Sequence, residues 1–310
     1  MKRPIHLLAF IAVFTLLFTA CKKDKVSDAD DKETELTVQS DDQAKVSSDF
    51  DAVDDEINGA LESSPALTGK DASTQALCNA TVVIDSLSNP RSVTITYNGL
   101  NCNGTATRTG TVKATIPSNV KWKDAGATLT VTITNLKITR VSDGKFITIN
   151  GTKQITNVSG GRLISLQPGA AIIHTINSNN MTVKFDTSAL QRSWSIAKKR
   201  VFTMEAGGLV IKTSGNETVA NTTKVMEWGT NRFGSPFITS TEEDITVRAS
   251  CNFRVTSGRV KHDLVGRNLT VTFGLDAQGN ATTCPGANPY YMKLVWTGPG
   301  SVSHTLIRPY

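Results

Sequence analysis

Hydrophobic and polar positions divide this chain into stretches of different period. Behind Lys2-Arg3, Leu7 to Ala20 is an unbroken run of 14 mostly apolar residues. From Lys22 to Ser40 the chain is polar and charged, with almost no large apolar group, which predicts a disordered acidic tether over 21–40. Val46, Phe50, Val53, Ile57 and Leu61 then recur at steps of 4, 3, 4 and 4, the spacing of one helix face. Ser40 or Asp41 stands where a cap would, Ser64-Pro65 is a stop, and the acids Asp49, Asp51, Asp54, Asp55 and Glu56 fall on the other face. The pattern predicts an amphipathic helix over 41–64 and a linker over 65–75. From residue 76 the period becomes two. Thr81–Ile84, Ser92–Tyr97, Thr128–Ile133, Phe146–Ile149, Met181–Phe185 and Leu269–Phe273 alternate hydroxyl and apolar side chains or approach that pattern. Turn pairs such as Asn98-Gly99, Asn103-Gly104, Asp143-Gly144 and Asn150-Gly151 punctuate these runs. With no βαβ alternation in sight, residues 76–310 are expected to be one all-β domain, an antiparallel meander of a dozen or more strands forming a sandwich or partial barrel.

The apolar run at the start is too short for a bilayer span, which takes about 20 residues. A basic start, a short apolar core and small residues before a break make residues 1–20 a secretory signal. Phe18-Thr19-Ala20-Cys21 resembles the lipobox of bacterial lipoproteins, with Phe18 where Leu is usual. That resemblance implies that Cys21 is the first mature residue and carries acyl chains, such as palmitate. Several chains anchor durably, since each buried CH₂ contributes about 0.8 kcal/mol. Lys22 after the cysteine implies sorting to the outer membrane. The run Lys22–Lys25 followed by acids resembles a surface-export signal only loosely, so periplasmic-facing and surface-facing placements both stay open.

Charge sharpens this division. Lys22 to Asp71 holds 15 acidic and 6 basic side chains, net −9, whereas Ala76 to Tyr310 holds 12 acidic and 25 basic, net +13. The helix is therefore expected to dock on the β body by its apolar stripe, its carboxylates adding little one by one. The basic body suggests attraction to an anionic envelope glycan. Nucleic acid is not expected, because the Lys and Arg are spread out rather than clustered with aromatics. Cys78, Cys102, Cys251 and Cys284 form an even set in an exported chain, which predicts two disulfides with three connectivities. Local pairing, 78–102 and 251–284, is the economical choice. No C-x₂-C or H-x₃-H spacing is present, so no metal is expected.

Several segments together resemble a family of Bacteroidota lipoproteins with no assigned activity. They are Cys78 with Thr81–Asp85, Cys102-Asn103-Gly104 with Arg108-Thr109-Gly110, Asn150-Gly151-Thr152-Lys153-Gln154-Ile155-Thr156-Asn157, and Cys251-Asn252-Phe253-Arg254-Val255-Thr256-Ser257-Gly258. The family's closing acidic turn is replaced here by Gln278-Gly279-Asn280 before Cys284-Pro285. The resemblance implies a fold and a compartment, and brings no functional residue with it.

Candidate chemistry is sparse. No G-x-S-x-G, H-E-x-x-H or P-loop occurs, and no catalytic residue, cofactor or metal ligand is assigned. His262-Asp263 has the composition of a base and its orienter, but neighbours on a strand point to opposite faces. Trp122, Trp194, Trp228 and Trp296 are candidates for stacking on sugar rings, with core packing as the ordinary alternative. Ser86 in Asp85-Ser86-Leu87 matches a short O-glycosylation tripeptide. The function expected is a lipid-anchored cell-envelope protein, structural or binding. The alternatives are a glycan- or envelope-polymer-binding module and a hydrolase with dispersed carboxylates.

Overall fold

The computed structural model describes residues 28–64, 77–282, 284, 289–297 and 302–310. Cys21, the signal segment and the linker over 65–75 lie outside them. The first element, α1, runs over Asp28–Glu62, so residues 28–40 are helix rather than the expected tether, and Ser40 and Asp41 sit inside it rather than capping it. The cause is a stripe that continues backward through polar residues. Leu36, Gln39, Gln43, Val46, Phe50, Val53, Ile57 and Ala60 follow steps of three and four, and all are buried.

Among the described residues fifteen strands follow. They are β1 (Ala80–Asp85), β2 (Arg91–Leu100), β3 (Ala106–Ile116), β4 (Ala127–Arg140), β5 (Phe146–Asn157), β6 (Ala171–Phe185), β7 (Arg192–Glu205) and β8 (Gly208–Gly215). The rest are β9 (Glu217–Val219), β10 (Thr222–Thr230), β11 (Pro236–Arg248), β12 (Arg254–Leu264), β13 (Arg267–Leu275), β14 (Tyr291–Thr297) and β15 (Ser303–Pro309). All pair antiparallel in one sheet, in the order β1 to β7, then β10 to β15; β8 bridges the far halves of β7 and β11, and β9 flanks β10. The expected antiparallel all-β meander is thus present, built as one sheet with α1 covering its inner face. Cys78–Cys102 and Cys251–Cys284 are both bonded, the local pairing.

The sheet must curl. Side chains from β2 through β15 touch the same helix: Tyr97 and Arg108 reach Glu56, Lys198 reaches Asp51, and Arg308 reaches Asp41. Laid flat at about 4.8 Å per strand, those strands would spread over about 50 Å, several helix diameters. Curling brings Val93 and Ile95 of β2, Val131 of β4, Trp194 and Ile196 of β7, and Val271 of β13 into one core with Val46, Phe50, Val53, Ile57 and Leu61.

The carboxylates of α1 lie against the basic sheet, and Asp42 and Asp54 are buried there rather than exposed. Seven of them pair with sheet cations: Glu35–Arg267, Asp41–Arg308, Asp42–Arg232, Asp51–Lys198, Asp54–Lys153, Asp55–Arg200 and Glu56–Arg108. The curled sheet reaches around the helix flanks, so this face meets β strands, enclosing Asp54 while Asp41 and Asp55 stay 49% exposed. Lys198 is fully enclosed, 2.9 Å from the equally buried Glu227 of β10 and 3.0 Å from Asp51. Burial opposes the charge on Lys198, but Asp51 and Glu227 outweigh it and hold its pKa above the ordinary lysine value. Burial would likewise raise Asp51, yet Lys198 and Arg200 hold it below the usual carboxylate range.

Removing one member of a buried pair strands the other without water. Lys198→Met, which leaves Glu227 and Asp51 uncompensated, is expected to cost about 3–5 kcal/mol in urea unfolding. Lys261→Ala, at the half-exposed pair with Asp263, is expected to stay within about 1 kcal/mol. Equal losses would show that the enclosed pair carries no special weight.

Candidate functional site: a polar bowl on the outer face

Two irregularities in the ladder shape the face of the sheet turned away from α1. Between β5 and β6 the register holds at Asn150↔Thr182 and at Gln154↔Asn177, so three residues of β5 oppose four of β6. On the other side, Ser178 pairs Ile196 and Met181 pairs Trp194, leaving Asn179 and Asn180 opposite Ser195 alone. The extra residue of β6 is thus a bulge in both of its ladders, a device that re-aims side chains. Gly151 admits it: at φ +132°, a Cβ there would lie 2.7 Å from the Asn180 carbonyl oxygen. The bulge is tied down by the Ser178 hydroxyl, which donates to the Thr152 carbonyl at 2.6 Å, and by Thr152 N–H donating to Asn180 Oδ1 at 3.3 Å.

The second irregularity is in β10, whose register slips between Val225 and Glu227. Gly229, at φ +153°, then lets β10 close on β7, where a Cβ would meet the Ser193 carbonyl oxygen at 2.1 Å. Glu227 points inward, accepting from Trp194 Nε1 at 3.0 Å and from Gln43 Nε2 at 3.2 Å. Strand alternation therefore turns the next residue, Trp228, outward beside Ser195.

Together these features leave a bowl of about 460 Å³. Its walls are Thr130 of β4, Thr152 and Gln154 of β5, Asn177, Ser178, Asn179 and Asn180 of β6, with Glu217 of β9 and Trp228 of β10 on the far side. Lys153 also borders it, but its ammonium lies on the opposite face, 2.5 Å from Asp54. The wall so presents amides and hydroxyls, each able to donate and accept, one part-exposed indole and one carboxylate, with Ile196 and Ala197 of β7 as its apolar part. The volume is in the range of small-molecule sites.

The four tryptophans separate cleanly. Trp122 donates to Asn58 of α1 at 2.8 Å, Trp194 donates to Glu227, and Trp296 stacks on His304 at 5.5 Å. All three are buried, because they stand at positions packed into the core, so they cannot stack on an external sugar. Trp228 alone of the four is part-exposed and lines the bowl. Sequence reasoning missed the amides beside it. Their signal was present: Asn177-Ser178-Asn179-Asn180 places four polar residues in the middle of a strand, where alternation calls for at least one apolar side chain.

Other candidates fall elsewhere. Ser86 is half-buried just before an exposed bend, where Asp85 Oδ1 accepts from the N–H groups of Leu87 and Ser88. His262 is enclosed, its Nδ1 3.0 Å from the Thr239 hydroxyl, while Asp263 pairs with Lys261, two residues back along the same strand. His174 is held between Trp122 and Phe202. A smaller cavity of about 110 Å³, between α1 and the β4–β5 turn, is lined by Asp42, Asp186 and Arg232, which satisfy one another. Among the described residues no group of three or more His, Cys, Asp or Glu is arranged to hold a metal ion. Comparison of the chain with protein-family models, with curated proteins and with solved structures finds no match.

The two enclosed histidines set a pH response. Burial pushes His262 down to about 4, and burial with the nearby Arg200 pushes His174 down to about 3. In the unfolded chain both rings take up protons near pH 6.5, so the unfolded state binds more protons below that pH and stability falls as pH drops toward 4. Nitrogen chemical shifts should show both rings neutral in the folded protein at pH 5.5. An imidazolium at either position would contradict the burial argument.

Proposed function

We propose that this chain is a lipid-anchored, non-catalytic envelope protein of the outer membrane that binds an uncharged saccharide in the outer bowl. The observation that carries the reading is Trp228, standing part-exposed beside a run of amide side chains on a strand bulge. An indole face pairs with the C–H face of a pyranose, and amides pair with its hydroxyls as both donors and acceptors. The anchor rests on the signal segment and Cys21.

The lining bears on the two rival readings. An anionic glycan would call for a cationic head group in the wall, yet the ionised group there is Glu217 and the Lys153 ammonium is turned to the other face. Glycoside hydrolysis in most families uses two carboxyl groups about 5–9.5 Å apart across the bond that breaks. Glu217 is a lone carboxylate in this wall, and Glu243, one of the Glu242-Glu243-Asp244 cluster, pairs with Arg259. Both features favour neutral ligands and binding without turnover.

The test is a tryptophan-fluorescence titration with neutral gluco-, manno- and galacto-oligosaccharides, set against polygalacturonate and dextran sulfate. A neutral oligosaccharide should perturb the emission and should remain unhydrolysed. Trp228→Ala should weaken binding about 10-fold or more, since stacking of this kind contributes roughly 1–2 kcal/mol. Binding that Trp228→Ala leaves intact, or a preference for the anionic polymers, would overturn the assignment.

A further inference from the structure

Alternation along β5 turns Ile147, Ile149, Ile155 and Asn157 into the core, and the same face carries Lys153. A lysine there stands where the pattern calls for an apolar side chain. Its neighbour on β4, Val131, is fully buried, and the register with β6 breaks beside it, between Asn150 and Gln154. The Phe50 ring of α1 lies 5.0 Å from Lys153 Nζ. The carboxylate against this nitrogen is Asp54 of α1, at 2.5 Å.

This pair differs from the other six helix–sheet pairs in three ways. Both of its side chains are sealed from water, 0% exposed at Lys153 and 6% at Asp54, whereas each of the other six has a member at least 19% exposed. Its approach is shorter than the about 2.7–2.9 Å of a charge-assisted hydrogen bond. Yet neither Lys153 Nζ nor Asp54 Oδ1 makes an aligned hydrogen bond to any described residue. Finally, the cation is a lysine with no second partner. Lys198 donates to the Ser47 hydroxyl and to Asp51 and is held charged by Asp51 and Glu227. The remaining five cations are arginines, which keep their protons. Burial holds the Asp54 carboxyl above the usual carboxylate range against the attraction of Lys153. In so dry a contact the proton can pass from ammonium to carboxylate, leaving a neutral amine, which is a nucleophile.

We propose that Lys153 and Asp54 condense to an amide, a covalent cross-link between β5 and α1. With the proton on Asp54, the nitrogen lone pair attacks Cγ and the carbonyl electron pair moves to oxygen. The nitrogen then gives up a proton, the Asp54 hydroxyl takes one up and leaves as water, and the carbonyl re-forms. One ammonium and one carboxylate become one amide and one water, so atoms and charge balance with no further reactant. Asp51, three residues earlier on α1 and near enough for its charge to act on Asp54, is placed to carry the proton. Condensation is uphill between free groups in water. Two groups held in contact have an effective concentration of about 10⁵ M or more, provided the reacting atoms sit roughly 3–3.5 Å apart. With Cγ one bond behind Oδ1, Lys153 Nζ is close to that separation. The amide replaces two buried charges by a neutral link and ties the helix into its trough, whatever the outer bowl binds.

Peptide mapping of the folded, purified full chain tests this without any substitution. Trypsin cuts after Lys and Arg, so an unlinked chain yields residues 46–70 and, separately, 146–153 and 154–162. The cross-link blocks cleavage after Lys153. Residues 46–70 should then be recovered joined to 146–162, lighter by one water than the two peptides together, with fragment masses placing the branch at Asp54. Lys198, held as an ammonium, should be cleaved normally in the same digest. Lys153→Arg keeps the charge but cannot form the amide, so its digest should contain no branch, and after boiling in detergent it should migrate more slowly than the cross-linked chain. Recovery of Lys153 only as the free peptide 146–153 would overturn the proposal. So would a branch at Asp49, Asp51 or Asp55 in place of Asp54. Should Lys153→Arg fail to fold, the digest of the unsubstituted chain still decides.

Discussion

The structure depends on the enclosure of α1 by a single sheet. An antiparallel sheet ordinarily hides its apolar face against a second sheet or a layer of helices. Here one helix lies where that layer would be, and the sheet bends until strands far apart in its order touch the same cylinder. The apolar stripe from Leu36 to Leu61 supplies the contact that water exclusion rewards, at about 25 cal/mol per Å² buried. The seven helix–sheet ion pairs serve a different end. Charges brought out of water gain little net stability even when paired, but each is costly when mispaired. A helix turned or shifted within the trough would part Asp54 from Lys153 and Asp51 from Lys198, so these pairs fix its register where an apolar stripe alone would tolerate slippage.

Curling this tightly also explains the outer face. A bulge bends its strand and increases the local twist, which suits a sheet that curls around one helix. The bulge of β6 and the close approach of β10 to β7 at Gly229 both lie beside the strands that clasp Lys198 and Glu227 inside. The bowl is thus the outer consequence of the inner packing. Asn179 and Asn180, the two residues the bulge sets opposite Ser195 alone, line the bowl, with Asn180 Oδ1 held by Thr152 N–H and the Ser178 hydroxyl.

Much of this was legible in the chain and some was not, for identifiable reasons. Period-two patterning gave the all-β body, because alternation survives wherever one face is buried. Local cysteine spacing gave both disulfides. The helix was half-read: Gln39 and Gln43 occupy stripe positions with polar side chains, so the apolar period fell silent from Leu36 to Val46 and the segment passed for tether. How deeply Asp42 and Asp54 would be buried was not legible, because a helix wheel says which residues share a face, never how far a partner sheet wraps around it. The tryptophans show the same limit. Trp122, Trp194 and Trp296 look no different in sequence from Trp228; only register, and a glycine that lets β10 approach β7, turns one of the four outward.

The charge asymmetry of the chain takes on a different meaning once the helix is in place. A net −9 segment ahead of a net +13 body invites the thought of a basic surface awaiting an anionic polymer. Seven of the body's 25 cations are instead matched to helix carboxylates, and several of the best-buried ones, Lys153, Lys198 and Arg200, never reach the outer surface. Segregated charge in sequence can therefore record an internal interface as well as an external ligand. The distinction follows from geometry: carboxylates spaced along one helix find cations spread over many strands only if those strands converge. The even scatter of Lys and Arg through the β body, which argued against nucleic acid, is what a sheet needs to pair with a central acidic helix.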